Sequence, residues 1–202
     1  MMIRRLLLCF YPQSCLKMYR SDAVRVVMEQ IEDELIVSNI GDPSKEVYHT
    51  RDRARNFYML GSFGLVSSIS LGLALSQEEK VVCIDGDGSL LTNLGSLATI
   101  ANQEPDNLIL IALDNGCYGS TGNQKTYASG LTDLEGVAKS CGFKRTHKVR
   151  DQFELSNVLN TCLKNSGLCF IHVIIEPNIS KSNNILLDPV TIKNRFKKSL
   201  HA

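Results

Sequence analysis

Residues 80–119 read KVVCIDGDGSLLTNLGSLATIANQEPDNLILIALDNGCYG, and the rest of the chain is arranged around this stretch. Short apolar runs at 81–84 and 108–113 predict two strands that are buried on both faces. Polar turns follow the strands at 85–89 and 114–116, where open α/β sheets bind their ligands. Apolar residues at helical spacing predict one helix between the strands: Leu94, Leu97, Ala98 and Ala101.

The two polar turns carry groups that suit a metal ion and an anion. Asp87 offers a carboxylate and Asn115 an amide oxygen, which are ligands for magnesium or calcium. Gly88 and Ser89 begin the predicted helix, whose free amides and positive dipole end favour an anion. Magnesium usually completes its coordination with water and phosphate oxygens. The pattern therefore predicts a diphosphate that a metal ion bridges to the protein.

The run Gly86-Asp87-Gly88-Ser89 followed by Asn115 resembles the cofactor motif of thiamine diphosphate enzymes, in which a GDG turn, a helix and a strand lead to two asparagines. Asp114 stands in place of the first asparagine. The resemblance implies that Mg²⁺ is held by the Asp87 carboxylate, the Asn115 side chain and the Cys117 carbonyl. It also implies cofactor contacts from Gly86, Asp87, Gly88, Ser89, Asn115, Cys117 and Tyr118.

The segment at 56–64, NFYMLGSFG, resembles the loop that faces the cofactor in the same family. The resemblance implies that the carbonyl of Gly61 receives the 4′-amino group of the cofactor's pyrimidine ring, with Ser62 beside it. Phe63 stands where the family places a bulky apolar side chain that keeps the cofactor bent. Gly61 and Phe63 are therefore the catalytic candidates of this chain.

Helices and strands alternate along the remaining sequence, which predicts a doubly wound parallel sheet of the α/β class. Ser21 is expected to cap the first helix, and the arginine-rich residues 47–56 are expected to form a loop, either solvated or binding a substrate anion. Thr132 begins a capping-box sequence for a later helix, and Asp151 is expected to cap the next one. His172 is expected to be a hydrogen-bonded core residue.

The length of 202 residues indicates one domain, and the resemblance implies that residues 18–180 form a diphosphate- and magnesium-binding domain. The net charge of +1 gives no reason to expect binding to nucleic acid or to an acidic membrane surface. The seven cysteines show no CxxC pairing, which favours a reduced, cytoplasmic chain without disulfides or a zinc site. Residues 1–17 are expected to be a disordered extension or an overlong start, and 181–202 a tail that can be helical.

The family resemblance covers a single domain of a catalytic unit that needs two. It implies that a partner, an alpha subunit, supplies the pyrimidine-binding domain and the glutamate that activates the cofactor. The active assembly is therefore expected to be a hetero-oligomer with the cofactor between its subunits.

Three segments, 55–75, 86–100 and 114–122, resemble subunits of two-chain 2-keto acid decarboxylases within this family. The resemblance implies release of carbon dioxide from 3-sulfopyruvate to give sulfoacetaldehyde, a step toward coenzyme M. Phosphonopyruvate is the alternative substrate, because both head groups are tetrahedral anions. The candidates for binding the anionic head group are Ser120, Thr121 and Lys125.

Two functions of other classes stay open from the sequence. The run from Asp85 to Ser89 also fits the DxDG[ST] motif of haloacid dehalogenase-type phosphatases, with Asp85 as nucleophile and Asp87 as acid/base. That class needs a Ser or Thr at the end of the following strand, where this chain has Asp114 and Asn115. The other alternative is a non-catalytic subunit that binds the cofactor or regulates a partner.

Overall fold

The computed structural model describes residues 17–177 and 182–200, and it contains the predicted parallel α/β sheet. Six strands build this sheet: β1 (Leu35–Ser38), β2 (Asn56–Tyr58), β3 (Val81–Gly86), β4 (Leu108–Asp114), β7 (Thr146–Val149) and β8 (Cys169–Ile174). Their order is β2-β1-β3-β4-β8-β7, and all neighbours are parallel. Two short strands, β5 (Cys117–Tyr118) and β6 (Gln124–Lys125), form a separate antiparallel hairpin.

Helices cover both faces of the sheet. One face carries α1 (Arg20–Gln30), α2 (Asp42–Thr50) and α7 (Gln152–Lys164). The other face carries α3 (Val66–Ala74), α5 (Gly95–Gln103) and α6 (Leu134–Cys141). A short helix, α4 (Asp87–Thr92), follows β3 directly, and α8 (Pro189–Ser199) comes last.

Alternate side chains of the central strands enter two separate cores. In β3, Val82 and Ile84 pack under α1, α2 and α7, whereas Val81 and Cys83 pack under α3, α5 and α6. Burial on both faces explains why these strands are continuous apolar runs in the sequence. Each fully buried aliphatic side chain of this kind contributes about 1.5–3 kcal/mol to folding.

The predicted loop at 47–56 is wrong at both of its ends. Helix α2 begins with a proline in its first turn, extends to Thr50 and buries Val47, and β2 already begins at Asn56. The arginines between them bind backbone carbonyls just before β1: Arg53 donates to Glu34 at 3.1 Å and Arg55 to Asp33 at 2.8 Å. They therefore lie at the amino edge of the sheet and do not form a clamp for a substrate anion.

The single helix predicted after β3 is interrupted. Helix α4 ends at Thr92 because Asn93 leaves helical geometry and its side chain donates a hydrogen bond to the carbonyl of Gly64 at 3.0 Å. The new helix, α5, buries Leu97 and Ile100 but leaves Ala98 exposed, so the predicted apolar face was partly wrong.

The helix caps follow the prediction in one case of three. Helix α1 begins at Arg20 after Tyr19, so Ser21 lies within the helix and does not cap it. Helix α6 is capped by Asp133, which accepts from the amide of Glu135 at 3.2 Å, and not by the neighbouring threonine. Asp151 caps α7 as predicted by accepting from the amide of Glu154 at 2.8 Å.

Helix α8 lies within the tail predicted at 181–202. Its Ile192 packs into one core and its Phe196 into the other, which places the helix against the edge strand β2. The prediction for residues 1–17 falls almost entirely outside the described residues. Within 17–177 and 182–200, no helix is long and apolar enough to cross a membrane.

Candidate functional site

A cleft opens at the carboxyl ends of β1, β3 and β4. The chain leaves β1 toward β2 and leaves β3 toward β4, in opposite directions, so the cleft lies at the topological switch point of the sheet. Residues 39–43 form one wall and residues 86–89 the other, while Asn115 and Cys117 line the side below β4. Phe63 completes the lining from the loop after β2.

Asp87 is buried in the cleft wall, with only 2% of its surface exposed. The turn that carries this carboxylate is therefore shielded from solvent. The hairpin β5–β6 is the reason, because it brings Thr126 over the turn, and the Thr126 hydroxyl donates to Asp87 Oδ2 at 2.5 Å. Burial raises the pKa of Asp87 to about 6, and the nearby Asp114 carboxylate acts in the same direction.

The turn after β4 is shaped by its own side chains. Asp114 Oδ1 accepts from the amide of Gly116 at 2.9 Å, and Asn115 Oδ1 accepts from the amide of Cys117 at 3.1 Å. Gly116 has φ +67°, the left-handed region that favours glycine. The buried His172 holds the other Asp114 oxygen at 2.7 Å, so its predicted role as a hydrogen-bonded core residue is confirmed.

Two glycines allow close contacts around the cleft. A Cβ atom at Gly88 would lie 2.5 Å from the ring of Tyr118, so only glycine lets that ring close over the turn. Gly64 has φ +87°, and its amide donates to Ser89 Oγ at 3.1 Å. That bond fixes the loop after β2 to helix α4 and thereby sets the position of Phe63.

The residues from the loop after β2 are only partly brought into the cleft. Phe63 is 48% exposed and lines it. Gly61 and Ser62 are exposed beside Phe63 and lie outside the lining, with Ser62 strained at φ +60°. The residue whose carbonyl the resemblance assigns to the pyrimidine ring, Gly61, therefore lies at the solvent-exposed rim of the cleft.

The structure also separates the three residues predicted to bind the head group of the substrate. Ser120 lines the cleft, whereas Thr121 and Lys125 are exposed on the hairpin beside it. The hydroxyl of Thr121 donates to Gln124 Oε1 at 2.9 Å, which holds the hairpin together.

Arg20 is a cleft residue that sequence reasoning missed. Its guanidinium is buried and donates to both Glu46 oxygens, at 2.9 and 3.1 Å, and it also lies 3.2 Å from Asp42. The cation ties α1 to α2 at the edge of the cleft. The sequence carries no local signal for this role, because the polar residues Ser21 and Asp22 follow Arg20 and its partners come much later in the chain.

Asp85 lies beneath the cleft and outside its lining. It is fully buried, its Oδ1 accepts from the amide of Gly86 at 2.8 Å, and burial raises its pKa to about 7. A phosphatase nucleophile must reach its substrate from the site. The position of Asp85 therefore argues against the phosphatase alternative.

Comparison with known proteins agrees with this geometry. Residues 39–173, more than half of the chain, match the family described as "Thiamine pyrophosphate enzyme, C-terminal TPP binding domain". The sulfopyruvate decarboxylase subunit beta of Methanocaldococcus jannaschii is 50% identical over 90% of this chain and 96% of its own length. The sulfopyruvate decarboxylase of Methanosarcina acetivorans is 48% identical, and the phosphonopyruvate decarboxylase of Streptomyces viridochromogenes is 38% identical.

The last two relatives are longer proteins. The match covers 91% of this chain but 47% of the Methanosarcina protein, and 86% of this chain but 44% of the Streptomyces protein. The chain thus spans about half the length of these relatives and nearly all of the Methanocaldococcus subunit. It belongs to the thiamine pyrophosphate enzymes and, among them, to the family of sulfopyruvate decarboxylase beta subunits.

Proposed function

We propose that this chain is the diphosphate-binding subunit of a decarboxylase that uses thiamine diphosphate and Mg²⁺ to convert 3-sulfopyruvate into sulfoacetaldehyde and carbon dioxide. One observation carries the proposal. Two metal-ligand side chains, Asp87 and Asn115, follow adjacent strands and line the same cleft at the switch point of the sheet. The reaction is a step toward coenzyme M, carried out in the cytoplasm.

The residues present fit a divalent cation. Asp87 is buried and lies near the second carboxylate of Asp114, so ionisation without a counter-charge is costly. A dication removes that cost. Mg²⁺ would be held by the Asp87 carboxylate, by Asn115 Oδ1 and by the carbonyl of Cys117, with phosphate oxygens and water completing its coordination.

The residues of the chain bind and orient the cofactor. Gly86, Gly88 and Ser89 would hold its diphosphate, and the ring of Tyr118 covers this turn. Phe63 would supply the bulk that keeps the cofactor bent, and the carbonyl of Gly61, beside Ser62, would accept a hydrogen bond from the 4′-amino group. When bound, thiamine diphosphate supplies an electron sink for the electron pair left by departing carbon dioxide.

The head group of the substrate is an anion that needs donors at the open side of the cleft. Ser120 and Thr121 offer hydroxyls and Lys125 an ammonium group there. Ser120 already lines the cleft, whereas Thr121 and Lys125 lie exposed on the hairpin, so their contact with the sulfonate requires the hairpin to fold toward the cleft. We place the specificity for an anionic 2-keto acid at this hairpin.

A partner completes the site. The residues that line the cleft include no glutamate among 17–177 and 182–200, whereas the cofactor needs one for activation in this family. An alpha subunit with the pyrimidine-binding domain supplies it, in a hetero-oligomer with domain 18–180 of this chain. The name of the Methanocaldococcus relative, subunit beta, supports a partner.

Carbon dioxide release by the assembled complex tests the proposal. The chain is co-expressed with the candidate alpha subunit, purified with thiamine diphosphate and Mg²⁺, and assayed on 3-sulfopyruvate, phosphonopyruvate and pyruvate. We expect the highest kcat/KM for 3-sulfopyruvate, because the identity to sulfopyruvate decarboxylases exceeds that to the phosphonopyruvate enzyme. A preference for phosphonopyruvate would show that the substrate was wrongly assigned and would leave the proposed cofactor site unchanged. Cofactor binding without turnover on any of the three would favour a non-catalytic subunit.

A further inference from the structure

Three side chains that bind soft metal ions meet near the amino ends of β7 and β8, away from the cleft. His147 lies in β7, Cys162 in α7 and Cys169 at the start of β8. One ligand atom from each lies within 4.8 Å of the others. Both cysteines are buried and their sulfurs are 2.7 Å apart, while His147 is half-buried. The cluster was not predicted from the sequence because its residues do not follow a CxxC spacing.

We propose that His147, Cys162 and Cys169 bind one thiolate-preferring divalent cation of the zinc class, with water as the fourth ligand. Two thiolates and one imidazole are a known donor set for tetrahedral zinc with one open position. Zinc–sulfur bonds of about 2.3 Å place two sulfurs about 3.8 Å apart. The thiols therefore separate by about 1 Å on binding, which side-chain rotation provides. The half-exposed imidazole gives the ion and the water their route from solvent.

The charges around the cluster suit metal binding. Arg145 and Lys80 lie near both sulfurs, and their positive charges favour the thiolate form that binds a metal ion. His147 is half-buried and offers a ring nitrogen to the same ion. A dication displaces the thiol protons and forms a neutral centre with two thiolates, which removes the cost of a buried charge.

The proposed ion joins three elements at one edge of the sheet. Among the described residues, strand β7 pairs with β8 alone, and the site would attach both strands to α7. The site is also chemically distinct from the cleft, because Mg²⁺ prefers oxygen ligands and these donors are sulfur and nitrogen. Its existence does not depend on the proposed decarboxylase function.

Cobalt and zinc titrations of the full chain test the proposal. The protein is purified under reducing conditions, stripped with a chelator and titrated with Co²⁺. We expect one Co²⁺ per chain with thiolate-to-cobalt charge-transfer absorption, displaced by Zn²⁺ and unaffected by excess Mg²⁺. Zn²⁺ should also raise the Tm, because it binds the folded state alone.

Variants locate the ion. Cys162→Ser and Cys169→Ser should abolish the charge-transfer absorption, and His147→Gln should weaken Co²⁺ binding at least about tenfold. Cys141→Ser, a free cysteine on α6 outside the cluster, is the matched control and should bind like the parent. If a serine variant fails to fold, the Co²⁺ titrations of the parent and of His147→Gln decide whether the site exists.

Three results would overturn the site. The first is a parent chain without the charge-transfer absorption, and the second is an unchanged spectrum in the Cys162→Ser/Cys169→Ser double variant. The third is a Cys162–Cys169 disulfide, seen as a mass lower by two hydrogens, in chains kept under reductant. Unchanged Co²⁺ affinity in His147→Gln would remove the imidazole from the ligand set and so overturn the proposed donor set.

Discussion

At the scale of single residues, Asp87 is the side chain whose burial and charge matter most to the proposed site. Asp87→Asn keeps a hydrogen-bond acceptor for Thr126 but removes the charge that binds Mg²⁺. We expect Mg²⁺-dependent affinity for thiamine diphosphate to fall by more than about 100-fold in the assembled complex, as for loss of a direct ligand. Calorimetric titration at several Mg²⁺ concentrations measures this.

Asp85→Asn is the matched control, because Asp85 lies in the same turn but beneath the cleft. It should retain metal-dependent binding and turnover. The metal-free Asp87→Asn chain should not unfold earlier than the parent at pH 8, since burial raises the pKa of Asp87 and its ionised form destabilises the folded state above about pH 6. Unchanged cofactor affinity and metal dependence in Asp87→Asn would show that the metal ligand was wrongly assigned.

Phe63 should act on the catalytic step more than on binding. Phe63→Ala leaves the diphosphate site intact but removes the bulk that positions the cofactor, so kcat should fall about 100-fold. Cofactor affinity should change less than about tenfold, since the metal and the diphosphate contacts remain. Steady-state kinetics and cofactor titration separate the two effects. Leu60→Ala, in the same loop and equally exposed, should behave like the parent; equal activity of Phe63→Ala and the parent would remove Phe63 from the mechanism.

At the scale of elements, an ion pair helps to hold helix α8 at the edge of the sheet. Asp52 accepts from both terminal nitrogens of Arg195 at 2.6 Å and from the hydroxyl of Tyr58 at 2.7 Å. Partial burial raises the pKa of Asp52, but these hydrogen bonds outweigh it and hold the pKa below its ordinary value. The pair therefore stabilises the fold above that ordinary value and loses its effect as pH falls through the lowered pKa.

Asp52→Asn should lower the free energy of unfolding at pH 7 by about 1 kcal/mol, a modest value because the pair is partly exposed. The difference between variant and parent should shrink as pH falls from about 4 through the lowered pKa, since Asp52 becomes protonated first in the unfolded parent and then in the folded parent. Urea denaturation at pH 7 and below about pH 4 measures this difference in the free energy of unfolding. Asp106→Asn, an exposed acid, should match the parent throughout. A difference that stays constant with pH would mean that the charge of Asp52 plays no part.

Sequence patterns predict well those elements whose formation depends on the local spacing of apolar residues. The apolar runs at 81–84 and 108–113 became β3 and β4 because burial on both faces leaves no polar position in them. The turn at Asn93 was missed because its side chain bonds to Gly64, far away in the sequence. The hydrogen bond from Thr126 to Asp87 was missed for a similar reason, because nothing in the sequence of the turn at 85–89 indicates the hairpin that brings Thr126 to it.

At the scale of the molecule, association with the alpha subunit should control both binding and turnover. The isolated chain should bind thiamine diphosphate weakly and release no carbon dioxide, and addition of the partner should restore both. Cofactor should in turn tighten the assembly, because a ligand held by two surfaces stabilises their contact. Analytical ultracentrifugation with and without cofactor, together with the decarboxylation assay, checks this. Full activity of the chain alone would contradict a two-subunit site.

Exposed apolar side chains near the cleft point to the surface that the partner covers. Tyr127 and Leu131 follow the hairpin beside the cleft and are largely exposed. Tyr127→Ser combined with Leu131→Ser should weaken assembly while the chain stays folded. Leu75→Ser, an exposed leucine that directly follows α3 and lies outside the cleft lining, is the control and should assemble normally.

Helix α8 also decides how the chain can associate with copies of itself. It fills both cores beside β2, which has only three residues, and the opposite edge strand β7 carries partly exposed polar side chains. Short, covered or polar edges resist the addition of further strands from other molecules. Both edges of the sheet are therefore protected against polymerisation of the chain through strand pairing.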